Sequence, residues 1–194
     1  MRSFYPVLLA AFFAGGATAQ MTALERQRLI AHFEMTESWL ADELAGLTAE
    51  QANFRPAPGV WSIIENLDHL VVAEPIYWRD FQNAMRAPAM SRPSPASDDS
   101  FLWYGIDRTN RASAVPTELP SGKLSDLRAG LESFHKLRAE MLRYIHTTQD
   151  DLRSHLVRRE NCDAYQWLLL ISAHAQRHIL QIREVKKNPR FPRR

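Results

Sequence analysis

Three short polar signatures, each at the head of an apolar run with helical spacing, constrain this chain more than any other feature. Thr22 and Glu25, Ser62 and Glu65, and Asp163 and Gln166 stand three residues apart. This is the capping-box arrangement, in which each partner satisfies a backbone N–H left free at a helix start. Leu29, Phe33, Leu40, Leu44 and Leu47 follow the first pair, and Ile63, Leu67, Leu70, Tyr77 and Phe81 follow the second. The third opens a run with Trp167, Ile171, Ile182 and Val185 on one face, closed by Lys186, Lys187 and Pro189. Cations suit a helix C-terminus, and proline stops it. A fourth stripe, Leu127, Leu131, Phe134, Met141 and Ile145, has the same period. No segment alternates convincingly with the period of two that a half-buried strand requires. The spacing predicts helices over 22–47, 62–87, 125–147 and 163–187, packed as an all-α four-helix bundle.

The connection between helices two and three, residues 87–122, is longer than an ordinary helix–helix loop and carries Pro88, Pro93, Pro95, Pro116 and Pro120. Connections of that length tend to be functional or disordered. Phe101, Trp103 and Tyr104 lie inside it. They predict that part of it docks on the bundle, with Trp103 and Tyr104 as a roof over a site.

At 194 residues the chain suits a single domain. Lys and Arg number 24 against 22 Asp and Glu, so the charge is nearly balanced and nothing favours nucleic acid. The one cysteine, Cys162, excludes an intramolecular disulfide and a cysteine-based zinc cluster. It reads as a small hydrophobe near a helix start. Residues 1–19 read as a signal peptide: Arg2, an apolar run from Phe4 to Ala14, then Ala17-Thr18-Ala19 before cleavage ahead of Gln20. The expectation is an exported chain, periplasmic or secreted, with residues 20–194 as its single domain and no membrane span in the mature protein. Glu74 and Arg138 each interrupt an apolar stripe. A buried charge needs a partner, so the two are expected to pair across helices two and three.

His174 and His178 are four residues apart. They differ by about 40° around the helix and leave one face about 6 Å apart along its axis. Trp167, Ile171, Ile182 and Val185 share that face, so it is the buried one, whereas Arg177, Arg183 and Glu184 lie away from it. Two buried imidazoles must each find a partner, and either a shared metal or a pair of structural hydrogen bonds meets that need. His69 is the best third candidate. It sits in the second turn of helix two beside Ser62, Asn66 and Ala73, small or polar residues that leave room. His32, His135, His146 and His155 lie at stripe margins or in polar sequence and read as surface or supporting residues. No Glu follows His174, so the HExxH zinc-protease pattern is absent. Ile171 and Ala175 stand where a di-iron carboxylate bundle has glutamates.

The segments Trp61-Ser62-Ile63-Ile64-Glu65-Asn66-Leu67-Asp68-His69-Leu70 and Ala173-His174-Ala175-Gln176-Arg177-His178-Ile179-Leu180-Gln181-Ile182 resemble the DinB-like superfamily, including its YfiT group. The resemblance implies a four-helix bundle with a long connection between helices two and three. It also implies one divalent metal ion on His69, His174 and His178, zinc first, with nickel or iron as alternatives. The function it implies is a metal-dependent enzyme that activates water or a thiol-like nucleophile, of hydrolase or transferase type, acting on an unidentified small molecule. A non-catalytic exported bundle that captures a metal or small ligand is the competing expectation. No nucleic-acid partner is expected, and a homodimer is left open.

Overall fold

The computed structural model describes residues 20–90, 96–110 and 113–193. The expected signal peptide and its cleavage site lie outside the described residues. Four long helices carry the fold: α1 (Ala23–Leu44), α3 (Ile63–Arg86), α5 (Leu127–Thr147) and α6 (Ala164–Lys186). The three sequence signatures all form capping boxes, at the starts of α1, α3 and α6. Asp126 caps α5 through the Arg128 N–H. Both α1 and α3 pack against α5 and α6. They therefore occupy opposite corners of the bundle, and the all-α expectation holds.

Four local features depart from the sequence reading. The first helix ends at Leu44 rather than Leu47, because the chain turns through Gly46 at φ 64°. A further one-turn helix, α2 (Ala49–Asn53), follows with its own capping box. The long connection holds a helix, α4 (Asp98–Ile106), and a 3₁₀ turn at Pro116–Glu118. Leu156–Val157 (β1) and Cys162–Asp163 (β2) pair as a two-residue antiparallel ladder, Leu156 opposite Asp163. Strands this short are below what an alternation pattern can reveal.

The core is apolar at both ends and polar across its middle. Leu29, Phe33, Tyr77, Phe81 and Met141 fill one half, and Leu40, Ile63, Leu67, Phe134 and Ile179 the other. Between them, Arg138 donates to Glu74 in a two-pronged pair, Nε to Oε2 at 2.8 Å and Nη2 to Oε1 at 2.5 Å. Arg138 Nη2 also reaches the Ile171 carbonyl at 3.3 Å. The expected pair is therefore present, with both side chains essentially inaccessible to solvent. Thr36 and Ser172 join the same level, 3.2 Å apart.

α4 lies along α6. Gly105 makes this approach feasible: a Cβ there would stand 2.8 Å from the Ala173 carbonyl oxygen and 2.7 Å from Gln176 Oε1. Arg153 pins the N-terminal end of α4 through both Asp98 oxygens at 2.8 Å. Arg177 holds the other end, donating to the main-chain carbonyls of Tyr104, Asp107 and Asn110. This corrects the placing of Arg177 away from the buried face. α4 covers that second face, and Arg177 is only 3% exposed. Cys162 is buried, as its reading required.

Candidate metal centre

His69 projects from α3 and His174 and His178 from α6, all three buried. His174 Nε2 lies 2.9 Å from His69 Nε2 and 3.2 Å from His178 Nε2. One ring nitrogen from each histidine lies within 4.8 Å of the other two. Around a tetrahedral zinc ion, with Zn–N about 2.0–2.1 Å, neighbouring nitrogens stand about 3.3 Å apart. The cluster is slightly tighter than that and of the right kind.

The outer hydrogen bonds decide which nitrogens carry protons. His69 Nδ1 lies 2.5 Å from the Glu118 carbonyl oxygen, which can only accept, so Nδ1 bears the hydrogen and Nε2 a lone pair. His178 Nδ1 lies 2.9 Å from Asn66 Oδ1. Asn66 is oriented by its own Nδ2, which donates to the Ser62 carbonyl at 2.8 Å. His178 Nε2 is therefore also a lone pair. His174 Nδ1 is buried without a hydrogen-bond partner among the described residues. Its ring can bring one proton to Nε2, which cannot serve two facing lone pairs. A cation satisfies all three nitrogens at once, so the residues fit a metal. Burial, then the neighbouring imidazole His69, pushes His174 well below the ordinary histidine value. Burial, followed by His174, does the same to His178. Burial also lowers His69, against a smaller opposing pull from Glu118 and Asp68. All three rings are thus held neutral, the form that ligates metal.

The three rings line a cavity of about 400 Å³. Trp61 stacks on His178, with ring centroids 5.9 Å apart. The Tyr77 ring lies 5.1 Å from that of His174. The Tyr77 hydroxyl donates to Glu118 Oε2 at 3.0 Å, and Arg159 donates to Glu118 Oε1. Tyr104 lines the cavity, as its reading as a roof required, but Trp103 does not and is 61% exposed. On the nine-residue α4 adjacent residues are turned about 100° apart, so the two neighbours do not share a face.

The other histidines stay apart from the centre. His32 meets Ser172, His135 pairs with Glu37, His155 faces the Ala84 carbonyl, and His146 is exposed. Three contributors to the site were not read from sequence: Asn66 as the acceptor for His178, Glu118 and Arg159. Asn66 stands three residues before His69 on one helix face, a spacing that could have marked it. Glu118 and Arg159 belong to segments without periodicity and carry no such signal.

Fold and site together define an all-α bundle with three buried histidines converging from two facing helices. The chain belongs to the DinB superfamily, whose profile matches residues 18–182. It is similar to the uncharacterized protein YuaE of Bacillus subtilis (strain 168), 27% identical over 158 residues, covering 78% of this chain and 91% of that one. No solved structure matches.

Proposed function

We propose that this protein is a metal-dependent enzyme of hydrolase or transferase type, with its metal on His69, His174 and His178. One observation supports this above the rest. The histidines face a cavity with charged and hydroxyl-bearing walls, not the closed apolar shell of a purely structural ion. A divalent ion, zinc first and nickel or iron as alternatives, would supply Lewis acidity to a water or thiol-like nucleophile there. The chain's own residues do the rest. Asn66 and the Glu118 carbonyl keep the ligating lone pairs of His178 and His69 turned inward. The Glu118 carboxylate, held by Tyr77 and Arg159, is the buried acid of the cavity wall and the candidate to take up a proton from the nucleophile.

Elemental analysis of untagged protein tests the metal. Replacing any one histidine with Ala should lower occupancy and thermal stability together, because the ion binds the folded state. Full metal content in all three variants would sink the assignment. For the chemistry, metal-loaded protein is offered 4-nitrophenyl acetate with water as acceptor, and 1-chloro-2,4-dinitrobenzene with a small thiol. Turnover that disappears on chelation supports the enzyme. Inertness in both assays favours the capture protein instead.

We also infer export, on the strength of Arg2, the apolar run from Phe4 to Ala14 and the Ala17-Thr18-Ala19 segment. N-terminal sequencing of protein from its native envelope should begin at Gln20. An intact Met1 in soluble cytosol would refute it.

A further inference from the structure

The walls of the cavity differ in charge and polarity from base to rim. Arg177 lies in the wall, buried, and its guanidinium meets three main-chain carbonyls and the Tyr104 ring. No carboxylate pairs with it among the described residues. Arg159 comes from the turn between β1 and β2 and lies over the Tyr77 ring, 5.0 Å from its centroid. Glu118 and, at 3.4 Å, Asp80 occupy two of its donors. A guanidinium carries five N–H donors, so others remain for a ligand. Glu118 is already engaged by Arg159 and Tyr77, and Glu160 stands on the exposed rim. The three histidines are neutral, and a bound divalent ion would add two further positive charges. The lining thus sets Arg159 and Arg177 against Glu118 and Glu160, a balance that a bound divalent ion would tip to positive. Phe101, Trp167 and Leu170 give the wall an apolar stretch, beside the polar Ser100, Ser113 and Gln181.

We propose that this cavity takes small organic acids, with the carboxylate on Arg159 and an apolar body against Phe101, Trp167 and Leu170. The planar fork of arginine suits a carboxylate, and a volume of about 400 Å³ suits a small molecule. The Tyr77 ring contacts both Arg159 and His174, so an acid held by Arg159 places its other end toward the histidines. The proposal names the substrate class of the site described above; its chemistry rests on that reading, but its binding does not.

The test is calorimetric titration of phenylacetate and of its neutral counterpart phenylacetamide, into metal-free and zinc-loaded protein. Phenylacetate should bind about tenfold tighter or more in both forms, as expected for a charge-assisted contact. Arg159→Gln should abolish the preference and leave zinc content unchanged. Arg159→Lys, which keeps the charge without the fork, should retain part of it, and it stands in if the Gln variant fails to fold. Equal binding of the two probes to the wild type overturns the proposal. So does a preference that appears only with zinc and survives Arg159→Gln, since the acid then sits on the metal; the metal reading would stand. An Arg159-dependent preference in a protein that takes up no zinc would uphold the acid site and overturn the metal reading.

Discussion

Replacing Glu74 with Gln should unfold this protein more readily than almost any other change of one functional group. The Glu74 carboxylate accepts two hydrogen bonds from Arg138 and has essentially no solvent access. Burial pushes the Glu74 carboxyl up, and Arg138 pulls it back toward the charged form. Among the described residues the Arg138 guanidinium otherwise meets the Ile171 carbonyl and the faces of Phe33 and Phe134, at 4.6 and 4.8 Å. Without the anion, a full positive charge stays in the middle of the bundle. Breaking a buried pair in this way costs about 3–5 kcal/mol. In a domain of this size each kcal/mol moves Tm by about 2–4 °C, so the loss is about 6–20 °C. The double variant Glu74→Met, Arg138→Met removes both charges with similar volume and should be much less destabilised than the two single losses added together. Urea denaturation of the wild type, both singles and the double gives the coupling. A Glu74→Gln variant within about 1 kcal/mol of wild type, or a double variant that equals the sum of the singles, would refute the reasoning.

Three further outcomes follow from the site and its surroundings. Asn66→Leu removes the acceptor that fixes the His178 tautomer, so zinc affinity should fall by about 10–100-fold in a chelator competition while all three ligands remain; unchanged affinity would show that Asn66 does not orient the ring. The histidines of the metal-free protein sit below the unfolded value of about 6.5, so below that pH the unfolded chain binds protons that the folded chain refuses. Stability should therefore be lost as pH falls from about 6.5, by up to about 1.4 kcal/mol per pH unit for each histidine, and urea midpoints that do not change between pH 7.5 and 5.5 would contradict it. Burial pushes the Cys162 thiol up to about 12, so Ellman's reagent at pH 8 should label it only as fast as the protein opens; immediate stoichiometric labelling would contradict its enclosure.

Much of this molecule follows from local pattern alone. The capping boxes at Thr22, Ser62 and Asp163 mark three helix starts because a cap is satisfied within four residues, whatever the rest of the chain does. His174 and His178 share a face because helix geometry places residues four apart together. The pairing of Glu74 with Arg138 could be anticipated because each charge interrupts an apolar stripe that must be buried. Tertiary structure decided what lies across the gaps between elements. Periodicity reports the face a helix turns to the core, but it does not report a second covering. α4, rising from a proline-rich connection, supplies that covering to α6 and buries Arg177. The Glu118 carbonyl reaches His69 from 49 residues away, and the Asn66 amide reaches His178 across 112. Arg159 meets Glu118 only because the turn between β1 and β2 stands beside the 3₁₀ turn at 116–118. These contacts set the tautomers and the charge of the cavity, and they depend on how distant segments pack, which no short-range spacing encodes.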